Sequence, residues 1–270
     1  MKSQSDRSIQ SLDRAFDILN TLGQASSKGL SLKDICAVTK LHPSTAHHLI
    51  STMVARGYLS QDLDSRRYML GPALLQLRAV ALDGLDLQAI ARPFAQNLLD
   101  RTGESIYISV LRGWDFPPLI MSPSPNPVRF VRPPTTMPCL HSAASGKCLL
   151  AYQQPAVIER YICEVPLTRF TPSTIVDADA LRAELATIRA QGITFDREEH
   201  AVGGSCIAAP IFNDHGEIIA SLSLSAPTFR ATPEKFAQWT ADVREIAAAL
   251  SARLGFAPPG CASCSTASRG

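Results

Sequence analysis

The sequence contains no run approaching the ~20 apolar residues that a bilayer-spanning helix needs. Its opening, MKSQSDRSIQ, lacks the apolar core of a secretion signal, so a cytoplasmic protein is expected, with no membrane partner. An excess of either charge is also missing. The 26 Lys and Arg stand against 24 Asp and Glu, a net of +2, too little to mark a nucleic-acid binder by bulk charge. Seven cysteines, an odd number, are scattered at Cys36, Cys139, Cys148, Cys163, Cys206, Cys261 and Cys264. That pattern excludes an obvious disulfide framework and leaves free thiols as the default. Cys261-Ala-Ser-Cys264 has C-x-x-C spacing but lies in a Pro/Gly/Ser tail with no second pair, so no metal is expected, and no cofactor. No internal repeat is found. What is present is a chain of 270 residues, 46% hydrophobic and 19% charged, long enough for two ordinary domains.

The stretch that organises the rest is 31–57, SLKDICAVTKLHPSTAHHLISTMVARG. Leu32, Ile35 and Val38 recur at i, i+3, i+6, which predicts a helix over 32–39. Pro43 predicts the start of a second helix, because its fixed φ suits a first helical residue and its missing N–H is not needed there. Ala46, Leu49, Ile50 and Met53 then form an apolar stripe. His42, Ser44, Thr45, His47, His48 and Ser51 fall off that stripe. A helix with a buried back and a front of short polar and imidazole groups suits a DNA major groove; plain helical packing gives a similar pattern. After Gly57, strands are expected at 58–60 and 66–71 around an Asp62-Leu63-Asp64-Ser65 turn. Such a wing places Arg66 and Arg67 beside phosphates or in the minor groove. Upstream, 11–22 reads as an amphipathic helix with Leu12, Ala15, Phe16, Leu19 and Leu22 on one side. Residues 1–71 hold nine Lys and Arg against six Asp and Glu, a net of +3, and the remainder nets −1.

From 72 to about 82 an apolar helix with few charges is expected, a connector that pairs subunits or packs on its own head. Beyond it, helices are predicted over 90–101, 142–152, 155–161, 180–191 and from Thr232-Pro233-Glu234 to near Gly255. Strands are predicted over 104–111, 192–197, 205–212 and 217–226, the last two joined by a hairpin at Asn213-Asp214-His215-Gly216. Residues 113–138 read as proline-rich and irregular, with a short extended piece at 128–131. This is an α+β pattern.

Four features are candidates for chemistry. Ser221-Leu222-Ser223-Leu224-Ser225 puts three serines on one strand face and two leucines on the other; the serines form either a wet surface or the floor of a pocket for a small acid. Cys206 lies on the neighbouring strand of the hairpin, where a cysteine usually acts as a small buried hydrophobe. Ala143, Ala144, Ser145 and Gly146 open a helix with side chains small enough for a carboxylate to reach free backbone N–H groups. Asp196 ends a strand beside a charged loop.

These segments resemble, across nearly the whole chain, the IclR-type transcriptional regulators. Ser11-Leu12-Asp13-Arg14-Ala15-Phe16-Asp17-Ile18-Leu19 is similar to the family's opening helix. Ser44-Thr45-Ala46-His47-His48-Leu49, Arg56-Gly57-Tyr58 and Arg67-Tyr68-Met69-Leu70-Gly71 resemble its recognition helix and wing. Leu140-His141-Ser142-Ala143-Ala144-Ser145-Gly146-Lys147, Thr171-Pro172-Ser173-Thr174-Ile175, Cys206-Ile207-Ala208-Ala209-Pro210 and Ser223-Leu224-Ser225-Ala226-Pro227 resemble its effector-domain motifs. The resemblance implies a winged helix–turn–helix at 9–71, a linker helix at 72–86 and a GAF-like effector domain at 87–256, between a disordered lead (1–8) and tail (257–270). It implies a homodimer, often a dimer of dimers, on a palindromic operator. It also implies a small organic acid held by Ala144 and Ser145 through backbone and by Asp196, Cys206, Ser223 and Ser225 through side chains. Two departures stand out. Ser44 follows Pro43 where the family usually has a basic residue, and His47-His48 replaces the usual mix with a basic residue.

The expected function is therefore a regulator of catabolic genes controlled by an aromatic or keto acid. Phosphate contacts come from Lys40, Arg66 and Arg67, and base contacts from Ser44, Thr45, His47 and His48. Trp114, Phe116, Met121 and Met137 either wall the acid or belong to the core. The rivals are a thiol hydrolase built on Cys206, His200 and Asp196, and a winged module that binds protein; no catalytic residue is expected on the main reading.

Overall fold

The computed structural model describes residues 9–25, 28–77, 86–131 and 139–258. The chain divides into two compact units, the first ending at Leu85 and the second spanning Asp86–Cys261. In the first, α1 (Gln10–Gly23), α2 (Leu32–Thr39) and α3 (Pro43–Ala55) precede β1 (Leu59–Gln61) and β2 (Tyr68–Leu70). Ile18, Leu22, Ile35, Ala46, Ile50, Met53, Leu59 and Tyr68 form its core. Ser31 caps α2 in a reciprocal box: its hydroxyl accepts from Asp34 N–H, and Asp34 accepts from Ser31 N–H. The wing strands pair antiparallel, Leu59 opposite Leu70 and Gln61 opposite Tyr68, and Leu30 adds a bridge to Tyr68. Gly29, just before that bridge, has φ +66° and lies so close to the Tyr68 carbonyl that no Cβ fits.

Two helix faces differ from the expected ones. On α1 the buried stripe is Ala15, Ile18, Leu19 and Leu22, while Leu12 and Phe16 are 50% and 56% exposed. The stripe takes i, i+3, i+4, i+7 from Ala15, which leaves Leu12 and Phe16 about a quarter-turn round the helix. On α2 the packed positions are Leu32, Ile35 and Cys36, and Val38 is 63% exposed. The expected connecting helix begins at 73–77, and its continuation lies outside the described residues, as do the lead 1–8 and most of the tail.

The second unit is a five-stranded antiparallel sheet with helices on both faces. Its strands are β3 (Ser105–Ser109), β4 (Pro118–Ser122), β5 (Thr194–Arg197), β6 (Gly204–Phe212) and β7 (Ile218–Pro227), in the order β4-β3-β7-β6-β5. Its helices are α4 (Leu87–Thr102), α5 (Ala144–Ala151), α6 (Pro155–Glu164), α7 (Ala178–Gln191) and α8 (Pro233–Arg253). α4 and α8 bury Ala95, Leu98, Val243, Ile246 and Leu250 against Ile106, Ile207, Leu222 and Leu224. On the other face α5 lays Ala144 and Cys148 on Cys206 and Ala208, and Leu149, Leu150, Tyr161, Leu181 and Leu185 form a further core among α5, α6 and α7.

β4 lies where the sequence predicts irregular chain. It is an edge strand, and an edge is where a strand led by prolines is tolerated, because Pro118 owes no ladder hydrogen bond on its outer side. The extended piece expected at 128–131 is not part of a strand. β7 also differs from a half-wet strand. Ser221, Ser223 and Ser225 are 0%, 3% and 6% exposed, so its alternation separates two buried layers rather than inside from outside.

Candidate functional site

Register assembles the site. Paired residues in an antiparallel sheet share a face, so Ser225, Cys206 and Asp196 form one row across β7, β6 and β5. Tyr107, Ser223, Ala208 and Thr194 form the next, and Ser109 lies opposite Ser221 in a third. Tyr107, Ser109, Asp196, Cys206, Ser223 and Ser225 from these rows line a small cavity of about 30 Å³, roofed by the start of α5. All six positions expected to contact a ligand line it: Ala144, Ser145, Asp196, Cys206, Ser223 and Ser225. Tyr107, Ser109, Phe130 and Ala143 line it as well, with Phe116 and His200. Tyr107 and Ser109 alternate on β3 just as the serines do on β7, a signal that becomes readable once the two strands are known to be neighbours. Phe130 packs so closely over Gly204 that a side chain there would strike its ring.

The α5 roof is built by its leading motif. Gly146 lies against the Leu140 backbone, where a Cβ would stand 2.6 Å from Leu140 Cα. His141 is fully buried, with Nε2 2.9 Å from the Thr168 carbonyl and Nδ1 2.9 Å from the Tyr161 hydroxyl. A carbonyl only accepts, so Nε2 carries the proton, and burial holds the ring's pKa below its usual value. The N-cap residue is Ala143, which has no side chain able to cap. The first N–H groups of α5 are thus left without an intrahelical or side-chain partner where the helix meets the cavity.

The side wall is the loop after β5. Asp196 Oδ1 accepts from Glu199 N–H (2.7 Å) and His200 N–H (3.3 Å). Burial raises its pKa to about 7, and the nearby Glu199 adds to the rise. The hydroxyls of Thr171 and Thr174 each donate at 2.6 Å, to the carbonyls of Glu198 and Glu199, and so pin the loop from outside. Lys147, fully buried on α5, reaches Glu199 at 2.6 Å and Glu184 of α7 at 3.0 Å. His200 Nδ1 lies 3.0 Å from Ser142 Oγ. The Cys206 thiol donates to Ser225 Oγ at 3.2 Å, a hydroxyl partner that does not draw off the thiol proton, as a hydrolase nucleophile would require. Among the described residues no group of three or more His, Cys, Asp or Glu is arranged to hold a metal, and no helix is long and apolar enough to cross a membrane. Of the aromatic-wall candidates, Phe116 lines the cavity. Trp114 packs on Tyr161 and donates to Glu164, Met121 is 58% exposed, and Met137 lies outside the described residues.

In the first unit, Ser44, His47, His48 and Ser51 are exposed at i, i+3, i+4, i+7 on α3, with Thr45 half-buried beside them. Lys40 is exposed at the end of α2 in the left-handed conformation. Arg66, with φ +58°, is exposed at the wing tip. Arg67 is half-buried: it donates to the Gly29 carbonyl at 2.9 Å and pairs with Asp34 at 3.7 Å, tying the wing to the start of α2.

A three-helix head with a two-stranded wing, followed by a separate unit with helices on both faces of an antiparallel sheet, is the architecture of a DNA-binding transcriptional regulator. Comparison with known proteins makes this specific. Residues 79–252 match the family described as bacterial transcriptional regulator IclR C-terminal, and residues 11–63 match the IclR helix-turn-helix domain. The chain belongs to the IclR family of transcriptional regulators. It is 36% identical over 250 residues to the HTH-type transcriptional regulator BhcR of Paracoccus denitrificans, covering 93% of this chain and 88% of that one. It is 30% identical over 251 residues to the HTH-type transcriptional repressor AllR of Escherichia coli K12, covering 93% and 92%. Among solved structures, an IclR regulator from Silicibacter sp. TM1040 superposes with a TM-score of 0.82 at 27% identity over 93% and 98% of the two chains. The Agobacterium tumefaciens repressor BlcR does so at 0.79 and 25%, over 94% and 100%. The protein is thus a regulator that binds DNA through its head, and not an enzyme.

Proposed function

We propose that a short organic acid in the second unit's cavity controls binding of the head to a palindromic operator of catabolic genes. The protein acts in the cytoplasm as a homodimer or a dimer of dimers. The observation that carries this reading is the uncapped start of α5, opening onto buried serine hydroxyls. Free N–H groups at a helix start attract an anion, and Ser223 and Ser225 add donors from the floor. The small volume of the cavity favours a short oxo or hydroxy acid over an aromatic one. On the head, Ser44, Thr45, His47 and His48 face the bases, while Lys40, Arg66 and Arg67 meet phosphates. The exposed apolar side chains Leu12, Phe16, Leu75 and Leu77 supply surface for pairing.

The test pairs a thermal-shift screen of short acids with a mobility shift on palindromes from the gene's own neighbourhood. Ser223→Ala combined with Ser225→Ala is expected to abolish the response to the acid and leave operator binding intact. Loss of both would mark these serines as structural supports instead.

A further inference from the structure

A second, larger opening lies along the outer edge of β6. β5 begins at Thr194, opposite Ala208, so the last residues of β6 have no neighbour strand on that side. The edge is nevertheless closed to an added strand. Gly204 accepts from Glu198 N–H on this side, and alternation turns Pro210 the same way. Pro210 has no N–H to give, and Phe212 N–H already donates to Ser251 Oγ of α8 at 3.1 Å. What remains is a groove of about 480 Å³ between β6, α8 and the ends of α5 and α7, against about 30 Å³ for the first cavity. Its size falls within the roughly 300–1,000 Å³ of small-molecule sites.

Three aromatic rings stand together in this groove. Tyr152 meets Phe212 edge-on with centroids 5.1 Å apart, and Phe212 lies 4.8 Å from Phe256. From α8 come alanines, Ala248 among them, which leave the space open. Among the described lining residues Arg244 is the sole charged group. It is exposed, donates through Nη1 to the Gln191 carbonyl at 2.7 Å, and makes no ion pair among the described residues.

We propose that this groove binds an aromatic monocarboxylate, its ring among Tyr152, Phe212 and Phe256 and its carboxylate on Arg244. Aromatic rings favour edge-on and offset contacts with one another. A guanidinium matches a carboxylate with paired N–H donors, and Arg244 keeps Nε and Nη2 for that purpose. A second carboxylate on the ligand would find no second cation. Nor does Ser251 supply a donor, because its hydroxyl already donates to the Ala247 carbonyl. The ligand therefore differs in class from the short acid of the first cavity, and size separates the two sites.

The experiment titrates the full-length protein by calorimetry with 2-naphthoate and with its uncharged match, 2-naphthalenemethanol. The acid is expected to bind roughly ten times or more tighter than the alcohol, the scale of a hydrogen bond to a charged group. Arg244→Met is expected to erase that difference. Ala248→Phe fills the groove from α8 and is expected to abolish binding of both. Arg244 and Ala248 are exposed, so melting temperatures are expected to stay in place. The variant combining Ser223→Ala with Ser225→Ala is expected to keep its affinity for the naphthoate. An affinity for the naphthoate unchanged in either Arg244→Met or Ala248→Phe would overturn the proposal. So would its loss in the double serine variant, which would put the ring in the first cavity. Absence of binding by both calorimetry and thermal shift would overturn it as well, and is the result expected if the chain's own end or a second copy fills the groove.

Discussion

Asp196 carries a consequence for stability that is separate from any ligand. Its folded pKa is about 7, raised chiefly by burial, against 3.8 for a free side chain. Between these values the folded chain holds a proton that the unfolded chain has released, so stability falls as pH rises from about 4 to about 7 and levels off above. Asp196→Asn removes that loss. The variant is expected to exceed the parent in stability at pH 8 by up to about 4 kcal/mol, with no gain at pH 4. Urea melts at the two pH values check this, and an equal gain at both would assign the effect to packing. At this scale the sequence marks identity better than environment. Asp196 reads as the end of a strand beside charged residues, and nothing local reveals that Thr171 and Thr174, some two dozen residues earlier, donate to the carbonyls of the loop that follows it and hold that loop in place. His200 stands out in the sequence only as a possible base for Cys206, whereas here it is bonded to Ser142 and forms part of a wall.

At the scale of elements, α5 depends on one glycine. Gly146→Ala would press a methyl group into the Leu140 backbone at 2.6 Å. The main chain has to yield, because the obstacle is not a flexible side-chain end. A loss of about 1–3 kcal/mol is expected, with a weakened response to the acid and operator binding retained; thermal melting and the ligand titration together test it. Helices are legible wherever prolines announce their starts, as at Pro43 and Thr232-Pro233-Glu234. Which face of a helix is buried was less so. On α1, Leu12 and Phe16 have the same period as the core residues, and only the positions of α2 and α3 decide between the two stripes. β4 was hidden for a related reason. Its leading prolines argue against a strand in general, but not against one at a sheet edge, and strand order is a property of the assembled sheet. The serine alternation of β7 marks two faces, and the helix-covered sheet turns the expected choice of wet or dry into a choice between two interiors.

Across the whole molecule, the head carries the positive excess, and its two wing arginines have different tasks. Arg66→Ala is expected to weaken binding to every DNA sequence alike, lower the slope of log affinity against log salt by about 0.9, and leave the melting temperature in place. Arg67→Ala is expected to lower both, since its guanidinium also holds the Gly29 carbonyl and Asp34. A salt slope unchanged in Arg66→Ala would remove the wing from the DNA interface. In the second unit, Lys147 has a mechanical meaning. One ammonium clasps carboxylates from two sides, so the cavity's roof and side wall are riveted into a single block. A guest that tugs on either one must displace the whole block, and rigid pieces pass a small push over a distance that a slack loop would absorb.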